Sequence, residues 1–157
     1  MQPLFSVSRF RLSSAALALA LVLGFGGLTL GADPVAYAIS YASALAGTPL
    51  RAFTVRKEAK AHGTGRLIEG PFQSGDRVAV IEDVITTGGS ALRAVQAVRA
   101  AGGEVAGVLA LVDREEGGRE ALEAEGLDVR ALVSAREIVA RMPAEAPSPT
   151  HAEPEAH

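Results

Sequence analysis

A chain of 157 residues, 48% hydrophobic and 21% charged, has the composition of one globular domain with a sizeable core. Its formal charge of −3 gives no electrostatic case for nucleic acid, and 4% aromatic content argues against a base-stacking platform. With no cysteine there is no disulfide framework and no thiolate zinc site, which suits a reducing compartment.

Arg9 and Arg11 precede an uncharged apolar run, Leu12 to Ala32, that reads as a signal peptide or membrane anchor. The alternative is a buried helix, Ser13 to Val22, running into a buried strand; residues 1–25 are set apart as an apolar N-terminal segment. Asp33-Pro34 predicts a helix start, a cap followed by proline at the first helical position, and Tyr37, Tyr41 and Leu45 carry the helix to Gly47. Leu50 to Arg56 reads as a strand, and the polar, glycine-bearing stretch Arg56 to Gly70 as a long loop. "RVAVIED" from Arg77 is a strand buried on both faces, followed by an amphipathic helix, Ser90 to Ala101. "EVAGVLALVDR" is the next buried strand. A short helix (Gly118 to Glu125), a short strand (Leu127 to Leu132) and a last helix (Ala135 to Met142) complete the pattern. Residues 143–157 are rich in Pro, Ala and Glu and read as a disordered tail.

Strands alternating with helices imply an α/β fold, a parallel sheet covered by helices on both faces. Parallel strands finish at one edge, so Glu82-Asp83 and Asp113-Arg114 should line one crevice there. Between strand and helix, Thr86, Thr87 and Ser90 bring hydroxyl donors, and Gly88 and Gly89 let backbone N–H groups approach a ligand. With the positive end of the following helix they form a site suited to a phosphate monoester. Glu82 and Asp83 cannot be aimed at that phosphate without like-charge repulsion; they suit sugar hydroxyls or a divalent cation. A sugar phosphate satisfies both halves. Upstream, Arg56, Lys57, Lys60 and His62 place four cationic groups in one loop, either a solvated charged segment or a neutraliser of a leaving pyrophosphate. Arg114 ends a parallel strand as a salt-bridge partner of Asp113 or Glu115, or as a forked donor to a planar anion.

"VAVIEDVITTGGSAL", Val78 to Leu92, resembles the ribose-phosphate signature of the type I phosphoribosyltransferases, with Glu82 where the family often has Asp. "RKEAKAHGTG" from Arg56 resembles the catalytic loop of the orotate phosphoribosyltransferases, and "LVDREEGG" their base-binding strand end. The resemblance implies that phosphoribosyl diphosphate contacts Arg56, Lys57, Lys60, His62, Glu82, Asp83, Val84, Ile85, Thr86, Thr87, Gly88, Gly89 and Ser90. It implies that Lys60 and His62 serve the leaving group, and that Thr86 and Arg114 hold orotate. "GGLTLGADP" from Gly26 resembles the glycine turn facing the pyrophosphate. Thr29-Leu30 departs from the Tyr-Lys pair of some members, so Gly31 is either a backbone contact or a tight turn.

The similarity runs over residues 26–142, the phosphoribosyltransferase domain. The N-terminal hood of the family, with its lysine and aromatics over the base, has no counterpart here, so the chain reads as a truncated or divergent member. By the same resemblance the cofactor is Mg²⁺, bridging diphosphate and sugar hydroxyls with no metal ligand assigned to the protein. The assembly is a homodimer sharing its basic loop, and the compartment is the cytoplasm, with anchoring through residues 12–32 the alternative. A non-catalytic phosphoribosyl-diphosphate-binding or regulatory member, or an inactive fragment, is the competing reading.

Overall fold

The computed structural model describes residues 22–58 and 67–143. In chain order these form β1 (Gly24–Leu28), α1 (Ala32–Leu45), β2 (Arg51–Val55), β3 (Ile68–Glu69), β4 (Arg77–Ile85), α2 (Gly89–Ala100), β5 (Glu104–Asp113), α3 (Gly118–Ala124), β6 (Val129–Ser134) and α4 (Ala135–Arg141). The six strands make one sheet in the order β3-β2-β1-β4-β5-β6, parallel throughout except for the antiparallel β2–β3 pair. The predicted α/β architecture is therefore the observed one.

Strand alternation sorts the core into two layers. Val78 and Val80 of β4 face α2, where they meet Ala91, Ala94, Val95 and Val98 along with Val108, Leu122 of α3 and Val129. Ala79 and Ile81 face the opposite side and pack with Val22, Phe25 and, from α1, Ala32 and Ala36. Each fully buried valine or isoleucine contributes about 1.5–3 kcal/mol, so these two layers hold the helices on opposite faces. From β1 the chain moves outward to β2, while from β4 it moves the other way to β5. The turns after β1 and β4 consequently flank the point where strand order reverses, and a crevice opens there.

The apolar run divides at the first described residue. Residues 12–21 lie outside the described residues, whereas Val22, Phe25, Leu28 and Ala32 are buried in the core. Val22 and Gly24–Leu28 thus serve the sheet, which matches the strand half of that alternative; its helix falls almost wholly outside the described residues, and no described helix is long and apolar enough to cross a membrane.

Several boundaries differ from the sequence reading for identifiable reasons. Asp33 does not cap α1: the helix begins at Ala32 with Gly31 as its cap residue, which makes no side-chain capping bond. The Asp33 carboxylate is instead turned to β2, where it accepts the Thr54 hydroxyl at 2.9 Å. Pro34 is tolerated because first-turn N–H groups have no helical partner in any case. The predicted loop after Arg56 contains β3, a two-residue strand too short to show alternation. It is extended by the Arg56 N–H donating to Leu67 O at 2.8 Å and by the Arg56–Glu69 ion pair at 3.6 Å. β6 starts at Val129 rather than Leu127 and runs to Ser134, which then caps α4 through a reciprocal bond with Glu137.

Candidate active site

At the end of β4 the two adjacent acids stay close enough for the Asp83 carboxylate to act on Glu82, yet each meets a different neighbour. Glu82 lines a cavity of about 50 Å³ with Val84, Ile85 and the turn Thr86–Ser90, room for a group of a few heavy atoms. Gly88, with φ of 80°, is the cap residue of α2, and no side chain caps that helix end, so neither Thr87 nor Ser90 is consumed as a cap. The first N–H groups of α2 are left for a ligand, with the positive end of the helix dipole behind them.

Against the expectation that the acids are not aimed at this turn, Glu82 lines the same cavity as Thr86–Ser90. Glu82 is 7% exposed, and its Oε2 is buried with no hydrogen-bond partner among the described residues. Burial, reinforced by the neighbouring Asp83 carboxylate, pushes Glu82 up to about 7. Close to neutral pH it is therefore half-protonated, which weakens the like-charge penalty against an anion in the turn.

Asp83 lies against the glycine turn that follows β1. Its Oδ1 accepts the Val84 N–H at 2.9 Å, and the carboxylate lies directly against the β1–α1 turn. A Cβ placed on Gly31 would lie 2.5 Å from Asp83 Oδ2, so a larger residue here would push the Asp83 carboxylate aside. Gly27 plays the same part lower down, where a Cβ would strike Ile81 O and sit 2.6 Å from the Ala32 Cβ. The turn resembling a pyrophosphate loop and the acid pair are thus one surface.

The base-side loop is joined to the phosphate turn by backbone. β4 and β5 finish in register, Ile85 opposite Asp113, and the Arg114 N–H donates to Ile85 O at 2.9 Å. A Cβ on Gly118 would strike Thr86 O and lie 2.7 Å from Gly88 N, while one on Gly88 would lie 2.8 Å from Gly118 O. Asp113 organises this loop from beneath. It accepts the Glu115 N–H at 2.8 Å and Arg119 Nε at 2.7 Å, and Arg119 also donates to Val129 O at 2.8 Å. Burial pushes the Asp113 carboxyl upward, but the Glu115 N–H and the Arg119 guanidinium outweigh it and hold it below its ordinary value.

The salt-bridge alternatives weighed for Arg114 are not the observed ones. Asp113 is taken by Arg119 and Glu115 by Arg136, and Arg114 pairs with Glu116 at 2.7 Å. Arg56 and Lys57 follow β2 at the same sheet edge, and Lys57 O accepts Arg93 Nη2 from α2 at 3.0 Å. Lys60 and His62 lie outside the described residues. Sequence reasoning missed Arg93, Glu116 and Arg119. The signals available were the one-turn spacing of Arg93 from the turn glycines and the second acid of "REEGG".

A hydroxyl- and glycine-bearing turn before a helix, an adjacent acid pair and a glycine turn at the reversal point of a parallel sheet are the features of a type I phosphoribosyltransferase fold. No family model matches the chain. It is 57% identical over 114 residues to the orotate phosphoribosyltransferase of Aquifex aeolicus, covering 73% of this chain and 62% of that protein. The crystal structure of the Mycobacterium tuberculosis orotate phosphoribosyltransferase with 5-phospho-alpha-D-ribosyl 1-diphosphate superposes with a TM-score of 0.67 at 52% identity, covering 74% of this chain and 65% of that one. The same enzyme with inorganic phosphate gives 0.68 at 48% identity, covering 80% and 70%. The chain belongs to the orotate phosphoribosyltransferase family, and it spans 62% of the length of the curated relatives it matches.

Proposed function

We propose that this chain transfers ribose 5-phosphate from phosphoribosyl diphosphate to orotate, giving orotidine 5′-phosphate and pyrophosphate in pyrimidine biosynthesis. The observation that carries the reading is the backbone junction of the phosphate turn, Thr86–Ser90, with the loop that bears Arg114. That junction supports reading Thr86–Ser90 as the phosphate anchor and Arg114 as a forked cation beside it, the pair of contacts a nucleotide monophosphate product requires.

The N–H groups and hydroxyls of Thr86–Ser90 would hold the 5′-phosphate, and Glu82 and Asp83 the ribose hydroxyls. The orphaned Glu82 Oε2 is an acceptor suited to such a donor. Charge builds on the departing diphosphate while C1 gains oxocarbenium-like character, so the protein's work is positioning and charge neutralisation rather than nucleophilic attack. Arg56, Lys57, Lys60 and His62 are the proposed cations for the leaving group, and Thr86 and Arg114 the contacts to the base. Mg²⁺ bound with the diphosphate would add to the neutralisation. A homodimer exchanging basic loops, working in the cytoplasm, completes the proposal.

The test is conversion of orotate to orotidine 5′-phosphate by the full chain with phosphoribosyl diphosphate and Mg²⁺, followed by chromatography. Turnover that is lost in Asp83→Asn and Arg114→Gln supports the reading. Tight binding of phosphoribosyl diphosphate with no conversion overturns catalysis and favours a binding protein.

A further inference from the structure

Three acids sit within the four residues Asp113 to Glu116, and the structure spends them differently. Asp113 is buried and saturated by the Glu115 N–H and Arg119. Glu115 adopts φ of 58°, and its carboxylate is tied to α4 through Arg136, whose side chain lies at 2.9 Å and whose N–H donates at 3.3 Å. Neither can leave without disturbing the scaffold. Glu116 makes no such tie among the described residues: its contact is Arg114, at 2.7 Å, with the two side chains 44% and 54% exposed.

Arg114 itself is anchored at its backbone by Ile85 O, while its side chain stands out toward solvent, 54% exposed. Its guanidinium is therefore already partnered before any ligand arrives, by the one carboxylate of the loop that can be pushed aside. We propose that Glu116 is a specificity-determining residue, a built-in counter-ion that an acidic planar ligand must displace from Arg114. The proposal rests on Arg114 being the contact to the base.

An exposed pair of this kind is weak enough to be exchanged for a better one. A ligand carboxylate or imide edge returns to Arg114 the forked acceptor it loses, whereas a neutral base strips away Glu116 and offers no charge in exchange. Displacement thus taxes every ligand equally but is repaid only by anionic ones. Glu116 also leaves the arginine's charge partly satisfied while the site waits, which limits capture of stray anions.

The experiment is calorimetric titration of the full chain with orotate, for wild type, Glu116→Gln, Arg114→Gln and the double variant, with Michaelis constants for both substrates. Glu116→Gln is expected to tighten orotate binding about two- to fivefold and to lower the orotate KM in step. The KM for phosphoribosyl diphosphate should stay unchanged, which also shows that the variant is folded. In the Arg114→Gln background the second substitution should add nothing. Unchanged or weaker orotate binding in Glu116→Gln overturns the proposal, as does a gain that persists without Arg114. Wild-type protein that binds phosphoribosyl diphosphate but not orotate overturns it too, and identifies the base assignment rather than Glu116 as the failing premise.

Discussion

Glu82→Gln should remove a defined part of the pH dependence of folding. The carboxyl is 7% exposed and is pushed from 4.5 to about 7, chiefly by burial and then by Asp83. Below pH 4.5 the folded and unfolded chains both keep the proton, and the group contributes nothing. As pH rises the unfolded chain releases its proton first, so stability falls until the folded pKa is passed, and above about 7 the penalty is complete. At about 1.4 kcal/mol per pH unit, the loss across this window is at most about 3 kcal/mol. Glutamine keeps the shape and has no proton to release. Urea unfolding of both proteins at pH 4.5, 5.5, 6.5 and 7.5 would show the variant gaining on wild type by about 2–3 kcal/mol from the lowest pH to the highest. Asp113 does not interfere: its depressed pKa gives stability that is present above its unfolded value of 3.8 and lost only as pH falls through the folded value below it. A stability difference that stays constant across the four pH values would refute the buried, proton-holding Glu82.

Two further substitutions test the joints of the site. Gly31→Ala would place a methyl 2.5 Å from Asp83 Oδ2. It should weaken phosphoribosyl diphosphate binding by about tenfold, read by calorimetry, while unfolding stability falls by no more than about 1 kcal/mol. Arg119→Ala leaves the buried Asp113 carboxylate with the Glu115 N–H as its remaining bond in the loop. Unfolding should show a loss of about 2 kcal/mol, and the orotate KM should rise because the loop under Arg114 has lost its brace.

The layers of this fold were legible because burial writes periodicity into the chain. The continuous apolar runs of β4 and β5 announce strands covered on both faces, and the spacing of Ala91, Ala94, Val95 and Val98 announces the helix between them. β3 was illegible because two residues carry no period, and the start of α1 was misplaced because Thr54, distant in sequence, competes for the carboxylate that would have capped it. In the site, the position of the turn between a buried strand and a helix could be read from residue types and apolar pattern, because Gly88 and Gly89 punctuate the two periods. The distribution of acids in "DREEGG" could not, because Asp113, Glu115 and Glu116 are interchangeable as letters. Burial, Arg119 and Arg136 assign two of them to the scaffold and leave the third to Arg114.

The close packing of Gly88 against Gly118 turns the crevice into a ruler. With the proposed phosphate anchor and the proposed base-reading loop fused through main chain, the span between them is insensitive to which side chains surround it. Such a platform can change the nucleobase it accepts without remeasuring the sugar phosphate. The positions at which that change could be made are Arg114 and Glu116, where side chains face solvent and the scaffold asks nothing of them. Divergence among proteins sharing this frame should therefore concentrate on these two letters, while the glycines on either side stay put.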